Sequence, residues 1–157
     1  MRGRSKYKKV ELVLDPKYQD PQITKFINRV MWHGKKETAQ NIVYTALEKL
    51  SKERNLTPSA ILQMVIDKAS PILEVKPRRI GGATYQVPME VKPSRKIVLS
   101  LRWLIDIARN KQGKPMSDFL YEEMNNILNN TGEVMKKRED VHKMAEANRA
   151  FAHFARF

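Results

Sequence analysis

The chain contains no cysteine among its 157 residues, which excludes disulfide bonds, thiolate metal sites and cysteine nucleophiles. It has no apolar run of about eighteen residues, so no segment is predicted to span a membrane. Its basic start is followed only by the short run Val10–Leu14, without a small-residue cleavage pattern, which argues against a secretory signal. These absences predict a reducing setting, either the cytoplasm or an organelle interior of similar chemistry.

Groups that carry catalysis are also sparse. The three histidines, His33, His142 and His153, do not have the spacing of metal ligands, and no nucleophile–base pair stands out. The motif HGKK at 33–36 lacks the second glycine and the Ser or Thr of a nucleotide phosphate loop. The pair Glu122-Glu123 is interpreted as a solvated helix face. We therefore expect no enzyme activity, no cofactor, no metal and no small-molecule substrate.

Positive charge is abundant and unevenly distributed. Thirty Lys and Arg residues oppose 17 Asp and Glu residues, for a net charge of +13. Residues 1–9 contain five bases and no acid, and residues 75–114 contain ten bases and two acids. Because the excess lies in two segments, it predicts a surface for a polyanion, above all a nucleic acid. An acidic membrane fits less well, since no basic helix also has an aromatic-rich face for insertion.

Helical spacing of apolar residues dominates the chain. Asp20-Pro21 and Thr57-Pro58 are typical helix openings, and Gly34 is predicted to close the first helix. The pattern predicts one mainly α domain, 1–157, with a basic N-terminal extension at 1–19 and a C-terminal helix and tail at 133–157. Its six-helix bundle has helices at about 20–34, 36–52, from Pro58 to before Pro71, 97–108, 120–128, and 133 to beyond Phe151.

A β-hairpin is predicted between the third and fourth helices. Apolar residues alternate with polar ones on both sides of Gly81-Gly82, which supplies the positive φ angles of a tight turn. Pro77 and Pro88 cannot donate to a ladder, so neither strand fits inside a larger sheet. Residues 72–91 are therefore predicted to form a protruding two-stranded arm.

Candidate nucleic-acid-binding residues lie mainly on the arm, the following helix and the N-terminal extension. Arg95, Arg102 and Arg109 recur every seven residues and are expected to share one flank of the fourth helix. Two other interpretations stay open: the arm's bases as a charged edge that prevents aggregation, and the extension as a disordered solubility tail. The predicted RNA-binding residues are Arg2, Arg4, Lys6, Lys8, Lys9, Lys35, Lys36, Lys76, Arg78, Arg79, Tyr85, Lys92, Arg95, Lys96, Arg102, Arg109, Lys111, Lys114, Lys136, Lys137, Arg138 and Arg149.

Four motifs together resemble a known family. In chain order these are HGKK at 33–36, EVKPRRIGGATYQVPMEV at 74–91, Arg102-Trp103, and KKREDVHKMAEANRAFAHFARF at 136–157. Together they closely resemble the bacterial-type seventh protein of the small ribosomal subunit. Pro77 and Ala83 depart from the family's usual residues. The resemblance implies a helical bundle with a protruding hairpin, located on the ribosome. It implies binding to the 3′ major domain of small-subunit ribosomal RNA and a role in nucleating assembly of the head.

The resemblance also implies neighbours. These are the exit-site transfer RNA, the messenger RNA exit path and the eleventh small-subunit protein, and some relatives repress translation of their own messenger. Two rival interpretations come from other classes. A DNA-bending architectural protein would use a similar ribbon arm, and an RNA-processing enzyme would need a catalytic constellation that the sequence lacks.

Overall fold

Six α-helices, a two-stranded antiparallel sheet and a terminal 3₁₀ helix make up this computed structural model, which describes residues 12–156 and the side chains of 12–154. The α-helices are α1 (Pro21–Val30), α2 (Lys36–Arg54), α3 (Pro58–Ala69), α4 (Pro93–Asn110), α5 (Met116–Leu128) and α6 (Glu133–Ala147). The strands are β1 (Leu73–Ile80) and β2 (Ala83–Glu90), and the C-terminal 3₁₀ helix is Arg149–Arg156. The prediction of a mainly α fold with a hairpin between the third and fourth helices is confirmed.

The predicted helix openings are present. Asp20 accepts hydrogen bonds from the backbone N–H groups of Gln22 and Ile23, at 2.6 and 3.3 Å. Thr57 Oγ1 accepts one from Ala60 N–H at 3.4 Å, and a proline follows each capping residue. Each cap satisfies amide groups that a helix leaves without partners at its start.

One apolar core joins all six α-helices. Its fully buried side chains come from the helical stripes seen in the sequence, among them Phe26, Leu47, Leu62, Leu104 and Met124. Val91, just after β2, belongs to the same core, and Val87 of β2 is fully buried. The base of the hairpin is therefore anchored in the bundle.

The hairpin has the predicted glycine turn and two antiparallel strands. Ile80 pairs with Ala83 and Leu73 with Glu90, and the described part of the chain has no third strand. Gly81 and Gly82 have φ angles of 55° and 89°, as a two-residue type I′ turn requires. A side chain at either position would be strained, so the tip depends on this glycine pair.

Two helix ends differ from the prediction. α1 ends at Val30, before Gly34, because Met31 is already extended and the chain reverses through left-handed His33 and Gly34. α6 ends at Ala147 instead of continuing past Phe151. Asn148 closes it by donating side-chain and backbone hydrogen bonds to Met144 O, and the 3₁₀ helix then packs against β2.

Candidate nucleic-acid interface

The basic side chains of the hairpin fall into two groups. Arg79 and the turn residues are exposed, whereas Arg78 is half-buried and donates a 3.4 Å hydrogen bond to Phe154 O in the C-terminal 3₁₀ helix. Neighbouring residues of a strand face opposite sides, so Arg79 lies on the side away from that helix. The exposed tip is therefore available for phosphate, while Arg78 also fixes the arm to the C-terminal segment.

One buried acid organises the base of the hairpin. The Glu74 side chain is largely buried, and its carboxylate lies 2.9 Å from Lys76 Nζ and 3.4 Å from Arg95 Nε. Burial alone raises the pKa of Glu74, but the hydrogen bond from Lys76 and the charge of Arg95 outweigh it and lower that pKa. Glu74 thus stays ionised and ties β1 to the first turn of α4. Sequence reasoning missed this role, although Glu74 is the only acid in β1.

The start of α4 is strongly basic. Lys92 is the N-cap residue and Arg95 and Lys96 follow in the first turn, which contains no acid. The partial positive charge at a helix N-terminus disfavours bases there, so a bound anion would offset this arrangement. Arg102 lies two turns further on and is exposed, between buried Leu101 and Trp103. Lys92, Lys96 and Arg102 form no ion pair with any residue that the structure describes.

The seven-residue spacing on α4 does not give three equivalent arginines. Arg95 contacts Glu74, and Arg109, two heptads later, donates to the carbonyl oxygens of Arg29 and Val30 at 3.4 and 3.2 Å. Fourteen residues of helix separate the two by about 21 Å. Only Arg102, between them, presents a guanidinium without a partner among the described residues.

Two lysines after α4 that were predicted to bind RNA form ion pairs with acidic residues of α5. Lys111 forms an ion pair with Glu123, and Lys114 forms one with Glu122. The interpretation of Glu122-Glu123 as a solvated pair was wrong for Glu123, which is 1 % exposed. The loop between α4 and α5 returns Lys111 onto this carboxylate, and the Glu123 hydrogen bond raises the pKa of Lys111.

The remaining predicted residues are dispersed. Lys35 and Lys36 open α2, Lys136 and Lys137 are exposed on α6, and Arg149 pairs with Glu146 at 3.3 Å. Arg138 is half-buried and donates to Lys68 O, so it joins α6 to α3. Residues 1–11 lie outside the described residues, and with them Arg2, Arg4, Lys6, Lys8 and Lys9.

Tyr85 has an aromatic environment that the sequence did not predict. Its ring centroid lies 5.2 Å from that of Phe151 and 5.3 Å from that of Phe154. The sequence predicts a helix that continues beyond Phe151, whereas the 3₁₀ helix after Asn148 brings Phe151 and Phe154 onto β2. The cluster holds the C-terminal segment against the arm.

The described residues do not form a candidate metal site. Within 12–156, no three His, Asp or Glu side chains are grouped so that they could hold a metal ion. His142 Nε2 accepts a hydrogen bond from the backbone N–H of Ile72, a structural contact. None of the described helices has the length and apolarity needed to cross a membrane.

A helical body that carries a basic β-ribbon and a basic helix start is typical of a nucleic-acid-binding protein. The sequence model of the family described as ribosomal protein S7p/S5e matches residues 1–149. The chain therefore belongs to this family, and it is a structural ribosomal protein of the small subunit, not an enzyme.

Similar proteins agree over nearly the full chain. Small ribosomal subunit protein uS7 of Thermosipho africanus is 57 % identical over 140 residues, 89 % of this chain and 90 % of that protein. The protein of the same name from Thermomicrobium roseum is 50 % identical over 154 residues, 98 % of this chain and 99 % of its own. That of Thermotoga maritima is 48 % identical over 151 residues, covering 96 % and 97 %.

Proposed function

We propose that the chain binds folded small-subunit ribosomal RNA through three basic elements: the hairpin tip, the first half of α4 and residues 1–9. The helical bundle is the rigid frame that sets the distance between the first two. By its family, the RNA segment is the 3′ major domain, and binding there nucleates assembly of the head.

The proposal rests on which charged side chains around the hairpin and α4 are already paired within the protein and which are not. The acid of β1, Glu74, is buried and already satisfied by Lys76 and Arg95. Arg79, Lys92 and Arg102 are exposed and have no ion pair with a described residue. When unpaired bases of this kind neutralise RNA phosphates, counterions are released from the RNA, and this release contributes favourable free energy to binding.

Selectivity for ribosomal RNA comes from shape. An RNA helix has a deep, narrow major groove that side chains cannot read, so proteins recognise junctions, 2′-hydroxyls and unpaired bases. A hairpin tip and a helix start at fixed separation suit a junction better than a regular duplex. Phosphate contacts by Arg79 and Arg102 would set the register of the protein on that junction.

The finer location is part of the same proposal. The hairpin tip and the C-terminal segment, which contact each other through Tyr85, lie near the exit-site transfer RNA and the messenger RNA exit path. The eleventh small-subunit protein is the expected protein neighbour. A messenger that imitates the ribosomal RNA site would be bound by the same surface, which would repress the protein's own translation.

A charge-reversal experiment tests the surface. The double variant R79E/R102E is compared with K49E/K52E, which changes net charge equally but on α2. We expect R79E/R102E to weaken binding to small-subunit ribosomal RNA roughly a hundredfold, because each substitution removes a phosphate contact and places a negative charge near the phosphates. The control should retain affinity within about threefold, and circular dichroism should report intact helices in both.

Two outcomes would refute the proposal. Equal losses in both variants would mean that affinity follows net charge and not this surface. Equal affinity of the unmodified protein for ribosomal RNA and for duplex DNA would instead favour a DNA-bending architectural protein.

A further inference from the structure

We propose that the pocket beside Trp32 holds an unpaired nucleobase of the bound RNA, stacked against the indole, with its phosphate near Lys35. This inference rests on the proposed function, since the base belongs to the RNA that the protein binds. It assigns a ligand to a site away from the hairpin, and it gives a role to an exposed tryptophan.

The pocket lies where the start of α2, the end of α4 and the start of α5 meet. Its volume is about 340 Å³, within the range of small-ligand sites. The walls are mostly apolar and include Ala39, Ile42, Ala108 and Phe119. The lining also includes Trp32 and four bases: Lys35, Arg109, Lys111 and Lys114.

Trp32 is exposed but held in place. Two thirds of its surface is accessible, and its ring is stacked on that of His33 at 5.5 Å with an interplanar angle of 7°. The Arg109 guanidinium lies 5.4 Å from the indole centroid and is fixed by the Val30 carbonyl at 3.2 Å. An indole that already contacts two neighbouring groups loses less side-chain entropy when a ligand stacks on it than a freely rotating indole would.

The loop geometry explains why this indole faces outward. Trp32 follows the last turn of α1, and His33 and Gly34 both have left-handed φ angles, 50° and 74°. Lys35 N–H donates to Trp32 O at 3.0 Å and closes the turn. The chain thus reverses between α1 and α2 with Trp32 on the outside of the bend, at the rim of the pocket.

The charges at the rim select the occupant. Lys111 and Lys114 are balanced by Glu123 and Glu122, whereas Lys35 has no ion pair within 12–156. An aromatic wall with excess positive charge suits a flat π-system that carries a negative group. An unpaired nucleotide has this chemistry, and base stacking on aromatic side chains is a common basis of RNA binding. An apolar side chain of a neighbouring protein would provide no negative group to pair with Lys35.

The two tryptophans allow a direct test. Trp103 is 6 % exposed, so the emission that Trp32→Phe removes belongs to the accessible indole. The full-length protein is titrated with small-subunit ribosomal RNA while emission and acrylamide quenching are measured. We expect bound RNA to quench Trp32 emission and to protect it from acrylamide, and Trp103 to be unaffected.

Affinity gives the second measurement. Trp32→Ala should raise the dissociation constant for this RNA about tenfold, and Trp32→Phe, which keeps an aromatic ring, less than about threefold. Lys35→Ala should lower the salt slope by roughly 0.7. Leu56→Ala, at a 41 % exposed leucine between α2 and α3, is the matched control and should leave affinity unchanged.

The outcomes separate this inference from the proposed function. If the protein binds the RNA normally but Trp32 remains accessible, or Trp32→Ala binds as tightly as the unmodified protein, the base pocket is refuted and the proposed function stands. Photo-crosslinking of Trp32 to a protein in the assembled subunit would also refute it. Failure of the unmodified protein to bind this RNA would overturn both.

Discussion

His142 Nε2 accepts a 3.0 Å hydrogen bond from the backbone N–H of Ile72, and this bond joins α6 to the base of the hairpin. The acceptor role requires a neutral imidazole nitrogen. Burial, aided by the charge of Arg138, lowers the pKa of His142 below its ordinary value of 6.5. In the window just below pH 6.5, the unfolded chain therefore binds a proton that the folded protein does not.

We expect the free energy of unfolding to fall as the pH is lowered from about 6.5 toward the depressed pKa of folded His142. Denaturation at pH 7.5, 6.5 and 5.5 measures this slope. His142→Gln places a non-titrating acceptor at the same position and should reduce it. An identical pH dependence in the two proteins would show that His142 does not couple protonation to folding.

The second prediction concerns Lys111 and buried Glu123. Removing Lys111 leaves a carboxylate that is 1 % exposed without its cation, and one of its oxygens already has no hydrogen-bond partner among the described residues. We expect Lys111→Met to lower the free energy of unfolding by about 3 kcal/mol in chemical denaturation. The double variant K111M/E123L should recover most of that loss, because it removes the buried charge as well.

The neighbouring pair is the control for this prediction. Lys114 and Glu122 are far more exposed, so Lys114→Met should change stability by less than about 1 kcal/mol. Similar effects of the two lysine substitutions would contradict the assignment of the Glu123 charge as buried and dependent on Lys111.

Local signals were sufficient for most of the fold. Asp20 and Thr57 cap helices, and Gly81-Gly82 turns the hairpin, because each depends on the conformation of a few adjacent residues. Pro77 and Pro88 correctly restricted the sheet to two strands, since a missing donor is a local property. Helix periodicity predicted the buried stripes for the same reason.

Tertiary contacts account for what sequence reasoning missed. Glu123 was predicted to be exposed, but it is buried and pairs with Lys111 of the α4–α5 loop. The sixth helix was predicted to be longer, but it ends at Ala147 with Asn148 as its C-cap. The exposure of Trp32 depends on the direction in which the chain leaves α1. The uneven distribution of charge along the sequence identified the segments that contain the predicted RNA-binding bases. It could not show which of these bases are already paired within the protein.

The third prediction addresses the contact between the C-terminal 3₁₀ helix and the hairpin. Phe151 and Phe154 flank Tyr85, and Phe154 O accepts a hydrogen bond from Arg78. We expect F151A/F154A to release this segment and to raise the hydrogen-exchange rates of the β2 amides at least tenfold, while the bundle amides stay protected. Arg149→Ala, which removes only an exposed pair with Glu146, should leave β2 exchange unchanged. Unchanged β2 rates in F151A/F154A would show that the arm is held by its base alone.

The last prediction separates bases that face phosphate from bases that are paired within the protein. Each cation that neutralises a phosphate adds roughly 0.7 to 0.9 to the slope of log affinity against log salt concentration. Arg102 is exposed and has no partner among the described residues, whereas Lys114 is balanced by Glu122. Arg102→Ala should therefore flatten the slope for small-subunit ribosomal RNA by about that amount, and Lys114→Ala should leave it unchanged. Filter binding at about 50 to 300 mM KCl, with pH and magnesium concentration held constant, measures both slopes. If Arg102→Ala kept the slope of the unmodified protein, Arg102 would contact no phosphate, and the basic surface would then have to exclude the middle of α4.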